Sequence, residues 1–193
     1  MLSETHWKIS EVIIHGIKSG PIPIDSRSFT WGCCLPDIFW GGPDHIMDKS
    51  FDYLTRLLGE LHPIKSVSYT VSDNRCFSFK LGIAVHYICD YFCWAHNARY
   101  YENIFHHLLY ENRLQTEFNR HHWSQLIKRA GDSRQKDNDL TPRTLPDFIQ
   151  SQHLIYLAEA PDIKNDIYFA VYTAGTVVNS LLNRQMQLLF QAA

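Results

Sequence analysis

Apolar residues recur every three or four positions along nearly the whole chain, the spacing of one helical face. His6, Ile9, Ile13 and Ile17 mark such a face in a first helix, which Ser3 can cap and Gly20-Pro21 should end. Asp25 or Ser26 can open a second, short helix stopped by Pro36. A third should run from about Lys49 to His62, with Phe51, Leu54, Leu57, Leu58 and Leu61 inward. A fourth should cover about Cys76 to Ala95 and a fifth about Arg99 to Phe118. Two more follow, about Leu145 to Ala158 and Ile163 to Phe190, the latter carrying Tyr168, Val171, Tyr172, Val178 and Leu182. The pattern predicts an all-α protein, a compact multi-helix bundle.

Two segments break the helical period. Residues 66–72, SVSYTVS, alternate like a strand, although a lone strand has no partner here. Residues 130–146, AGDSRQKDNDLTPRTLP, are polar with two prolines and read as a surface loop rather than a domain boundary. No internal repeat is visible, so residues 1–193 are expected to form a single domain.

Composition adds limits. At 45% hydrophobic residues the chain is globular, and a formal charge of −2 argues against a general nucleic-acid binder. No apolar run approaches the roughly 20 residues that span a bilayer. The start, MLSETHWKIS, lacks the basic and apolar pattern of a secretory signal, so a cytoplasmic location is expected. Five cysteines with no C-x-x-C fit reduced thiols, and Cys89 and Cys93 are read as packing residues of an apolar helix.

The chemistry concentrates in the most hydrophobic stretch, AVHYICDYFCWAH, residues 84–96, which places His86, Asp90 and His96 among residues bound for the core. Charged side chains are rarely buried unless paired or metal-bound. His86 and Asp90 are four apart, about 40° around the helix axis and one turn along it, so both can reach one ion. His107 and Glu111 repeat that geometry on the fifth helix, while His106 points about 100° away. His96, six residues after Asp90, is expected to leave that ion and join His107 and Glu111, making two adjacent sites. Imidazole with carboxylate oxygen suits zinc. A di-iron carboxylate bundle lacks its Glu-x-x-His, and a His-Asp phosphohydrolase lacks its dipeptide.

KLGIAVHYICDYFCWAH and HLLYEN, and more loosely ETHWKIS and LPDIFWGGPDH, resemble the bacterial zinc-dependent phospholipase C family, which shares a fold with fungal single-strand nucleases. The resemblance covers roughly residues 4 to 112. It implies a helical bundle holding up to three zinc ions. Asp37, His45, His86 and Asp90 would bind one, and Asp90 would bridge to another held also by His6. His96, His107 and Glu111 would bind the third. Asp37 would sit beside the attacking water as general base. Three divalent ions outweigh three carboxylates, leaving an electropositive cavity suited to a phosphate ester, a phospholipid headgroup among them. Trp31, Phe39, Trp40 and Tyr91 are candidate walls for a headgroup or base pocket.

There are departures from the family. Secreted members begin with a tryptophan whose amine and carbonyl complete one zinc site, whereas this chain reaches His6 five residues after Met1, and Trp7 cannot substitute. Either water, a backbone carbonyl or Glu4 is expected in that position, or the site at His6 is incomplete and its ion binds weakly. No proline lies between Asp90 and His96, and an appended lipid-binding domain is not expected. Besides phospholipase C chemistry, single-strand nuclease or soluble phosphoesterase activity and a non-catalytic, zinc-stabilised helical domain stay open.

Overall fold

The computed structural model describes residues 1–17, 24–39, 42–61, 70–97, 103–121, 123, 140–141 and 143–192, with side chains up to Arg184. Among the described residues there are seven α-helices and no strand. They are α1 (Ser3–Gly16), α2 (Ser26–Ile38), α3 (Met47–Glu60), α4 (Val71–Tyr91), α5 (Ile104–Arg120), α6 (Leu145–Ala158) and α7 (Ile163–Ala192), with a 3-10 turn at Trp94–His96. The fold is the all-helical bundle that the apolar periodicity predicts.

α4 is the axis. Every residue from Ala84 to Cys93 is buried, as expected of a helix apolar on all sides, and α4 packs against α1, α2, α3 and α7. Around it Ile9 and Ile13 of α1, Phe29 of α2, Leu54 and Leu58 of α3, Leu114 of α5 and Val171, Val177 and Val178 of α7 close one continuous core.

The α2–α4 contact is closest because glycines meet at it. A Cβ on Gly82 would overlap the Phe29 carbonyl and lie 2.9 Å from both Cys33 N and Gly32 Cα. One on Gly32 would overlap the Phe79 carbonyl. Bare backbone at this crossing lets the helices approach without intervening side chains.

Several element ends differ from expectation. Ser3 is the first residue of α1 rather than its cap: Leu2 holds the N-cap position and makes no side-chain cap bond. Asp25 does cap α2, accepting from Ser28 N–H, but the helix runs through Pro36 to Ile38. A proline there forfeits one backbone bond, and burial against α4 outweighs it. α4 begins at Val71 because Thr70 and Asp73 form a reciprocal capping box, so Thr70 to Ser72 of the alternating segment open a helix. Residues 66–69 of that segment lie outside the described residues, as do residues 130–139 of the expected loop, whose last two residues, Leu145 and Pro146, already belong to α6. All five cysteines are free. No described helix is long and apolar enough to cross a membrane.

Candidate metal centre

The centre is built around Asp90, which α4 presents fully buried near its C-terminus. Its Oδ2 lies 2.7 Å from His45 Nδ1, 3.2 Å from His86 Nε2 and 3.8 Å from His96 Nδ1. Its Oδ1 lies 3.2 Å from His6 Nε2 and accepts a short hydrogen bond from the Met1 α-amino group. Asp37, from the last turn of α2, places Oδ1 3.7 Å from both His45 Nδ1 and His86 Nε2. On the other side His96 Nε2 is 2.9 Å from Glu111 Oε1, and His107 Nε2 is 3.3 Å from the same oxygen. All of His6, Asp37, His45, His86, Asp90, His96, His107 and Glu111 are thereby linked in one cluster.

Within it, ligand atoms of His6, Asp37, His86 and Asp90 lie within 4.8 Å of one another, as do those of His45, Asp90 and His96 and those of Cys93, His96 and Glu111. The adjacent sites expected from the spacing correspond to adjoining groups that share Asp90 and His96. His96 reaches both because α4 ends at Tyr91 and the 3-10 turn redirects the chain.

The surroundings orient the ligands. His86 Nδ1 lies 2.8 Å from the Cys33 carbonyl, which can only accept, so that nitrogen carries the proton. In the neutral ring the Nε2 lone pair then faces the Asp37 and Asp90 carboxylates and His45 Nδ1, 3.2 Å away. Ser3 donates to Asp37 Oδ2 at 2.8 Å, the use to which its hydroxyl is put instead of capping α1.

Charge follows the same layout. Burial, then the neighbouring His86, brings the His6 imidazole down to about 4, and burial also lowers His96, so both rings release a proton more readily than a free imidazole. Burial works against ionisation of Asp90, yet His96, the Met1 ammonium, His86 and His6 hold it well below the usual carboxylate range. For Glu111 burial is again opposed, by hydrogen bonds from His107 and His96, and the carboxyl stays below its usual range.

The donor set fits a divalent cation. Imidazole nitrogens and carboxylate oxygens converge at hydrogen-bond and ion-pair distances, and buried His6 Nδ1 has no hydrogen-bond partner among the described residues. The Met1 nitrogen, 2.9 Å from His96 Nε2 and 3.1 Å from Glu111 Oε1, lies in the same cluster. Glu4, one of the groups expected there, is instead paired with Lys8 at the surface, at 2.9 Å.

A cleft of about 350 Å³ lined by Pro36, Asp37, Phe39, Gly42, Pro43 and His45 opens onto the centre. Of the aromatics proposed for its walls, Phe39 lines it and is exposed. Trp31 is exposed but does not line it. Tyr91 is a core residue, bonded through its hydroxyl to Ser50 Oγ at 2.9 Å. Trp40 lies outside the described residues. His106 is exposed on α5. Cys93, read as packing, sits against His96 and Glu111, and burial pushes its thiol up. Its spacing of four from Cys89 and three from His96 is the local signal that could have marked it.

The sequence matches the zinc-dependent phospholipase C family over residues 5–163, and the chain belongs to that family. No curated protein and no solved structure matches it.

Proposed function

We propose that the protein is a zinc-dependent hydrolase of phosphate esters, acting on a phosphodiester such as a phospholipid headgroup linkage. The observation that carries this is the convergence of imidazoles and carboxylates on Asp90 with one carboxylate, Asp37, facing an open cleft. A purely structural zinc site is closed, whereas a catalytic one keeps room for water and substrate.

His6, Asp37, His45, His86, Asp90, His96, His107 and Glu111 would hold the ions. Bound there, zinc would lower the pKa of a coordinated water toward 7 and neutralise charge on the attacking and leaving oxygens. Asp37 takes the water proton: Ser3 occupies its Oδ2, leaving Oδ1 toward the centre. Asp90 and Glu111, ionised throughout, balance the cationic charge. His86, locked by the Cys33 carbonyl, keeps its Nε2 pointed inward without a rotameric search. Phe39 forms an apolar wall of the cleft beside the ester.

The test is hydrolysis of phosphatidylcholine, chromogenic phosphodiesters and monoesters, and single-stranded DNA by zinc-loaded protein, with and without chelator. Chelator-sensitive hydrolysis of a diester, reduced about 100-fold or more by Asp37→Asn with the ions that Asp37 does not hold largely in place, is the expected result. Preference for the DNA would redirect the substrate assignment to the nuclease branch. Zinc-loaded protein that cleaves none of them would leave a non-catalytic, zinc-stabilised bundle.

A further inference from the structure

Asp166 is fully buried on α7, beyond the stretch that matches the family, and takes no part in the chemistry above. Its Oδ2 accepts from the Trp94 backbone N–H at 2.9 Å and from the Tyr110 hydroxyl at 2.8 Å. Its Oδ1 accepts from the Tyr156 hydroxyl of α6 at 2.8 Å. Trp94 opens the 3-10 turn that ends in His96, and Tyr110 directly precedes Glu111 on α5. One carboxylate oxygen is thus tied to both elements that present the His96–Glu111 pair.

We propose that Asp166 is a positioning residue for that pair, fixing the 3-10 turn and α5 against α7 so that His96 and Glu111 converge on one ion. This rests on the metal-binding role proposed above. The turn has one further anchor: Asn97 donates to the Cys93 carbonyl at 3.0 Å, and His153 Nε2 lies 3.1 Å from Asn97 Oδ1. That anchor grips the C-terminal side of the turn, while Trp94 N–H on its N-terminal side is held by Asp166. On α5 the Tyr110 hydroxyl ties the residue next to Glu111 to α7, while Gln115, one turn on, accepts from Thr5 of α1. Remove the shared acceptor, and the hydrogen bonds that tie the turn and α5 to α7 beside the His96 Nε2 to Glu111 Oε1 contact of 2.9 Å are lost.

Metal-stripped full-length chain, wild type and variants, is titrated with zinc, reading stoichiometry by elemental analysis and stepwise affinity by calorimetry. Asp166→Ala should weaken one zinc of the set by about 10–100-fold, the usual cost of losing an outer-shell partner, and leave the others unchanged. Asp166→Asn should restore that affinity to within a few-fold, because its amide oxygen can accept from Trp94 and Tyr110 while its NH2 donates to Tyr156. A merely structural role would lower the melting temperature in both variants without selecting one ion. Unchanged zinc affinities in Asp166→Ala would overturn the proposal. Should that variant not fold, Tyr110→Phe takes its place, with selective weakening of one zinc expected and wild-type affinities again overturning it. Wild-type chain that binds no zinc would overturn the metal-binding role itself, and this one with it.

Discussion

Gly82→Ala pits two effects of opposite sign against each other. In the interior of a helix, alanine is worth about 1 kcal/mol over glycine, so propensity alone predicts stabilisation. Against it stands the crossing with α2, where the new methyl would overlap the Phe29 carbonyl and stand 2.9 Å from Cys33 N and Gly32 Cα. All three are backbone atoms and no flexible side chain can yield, so the helices must separate. Overpacking of this kind costs about 1–3 kcal/mol and lies at the upper end where backbone has to move, which leaves a net loss of about 1–2 kcal/mol. The displacement also reaches the centre, because Asp37 rides on α2 while His86 and Asp90 ride on α4, one and two turns beyond Gly82. Urea unfolding of the zinc-loaded variant should show a lower midpoint with an unchanged slope, and zinc affinity should fall with it. Gly32→Ala should act on the same gap, so the double variant should lose less than the sum of the singles. Equal or higher stability in Gly82→Ala would show that the crossing does not hold the two halves of the centre together.

Other consequences are as direct. Ser3→Ala removes the donor that holds Asp37 Oδ2 and should lower kcat about tenfold with zinc content and melting temperature nearly unchanged; an unaltered kcat would remove Ser3 from the machinery. Zinc at about a thousand times its dissociation constant adds roughly 4 kcal/mol, so chelation should lower the melting temperature by about 10 °C in a chain of this size, and an unshifted transition would deny linkage between metal and fold. Burial pushes the Asp166 carboxyl up to about 7, despite bonds from Trp94, Tyr110 and Tyr156. A carboxyl raised in the folded state favours folding fully below its ordinary pKa near 4 and loses that contribution as pH rises through 7. Metal-stripped wild type should therefore lose up to about 4 kcal/mol relative to Asp166→Asn between pH 4 and 8, measured by urea unfolding; a constant difference would contradict it.

Much of the fold is legible in the sequence because helix period and burial are local signals. The His86/Asp90 and His107/Glu111 pairs are visible for the same reason, each being one helical turn apart. What escapes are partners supplied by distant segments. Ser3 looks like a cap because serine before an apolar run usually is one, and only the arrival of Asp37 from α2 shows its use. The capping box at Thr70 and Asp73 was masked by the β-like alternation that runs into it. Pro36 overstates its breaking power where a helix is held by tertiary contacts. His96 was expected with one ion only, since spacing along a helix cannot foresee the turn that lets it face both Asp90 and Glu111. The Met1 nitrogen and Asp166 carry no such local pattern.

That imidazoles and acids from four helices and their connections meet around bound zinc is tested most directly by a crystal structure of the zinc-loaded chain with data collected across the zinc absorption edge. Anomalous peaks bounded by Asp90 together with His6, Asp37, His45 and His86, and by His96 with Glu111, are the predicted result. A map without zinc peaks among these side chains, or with the ions bound elsewhere on the surface, would contradict it.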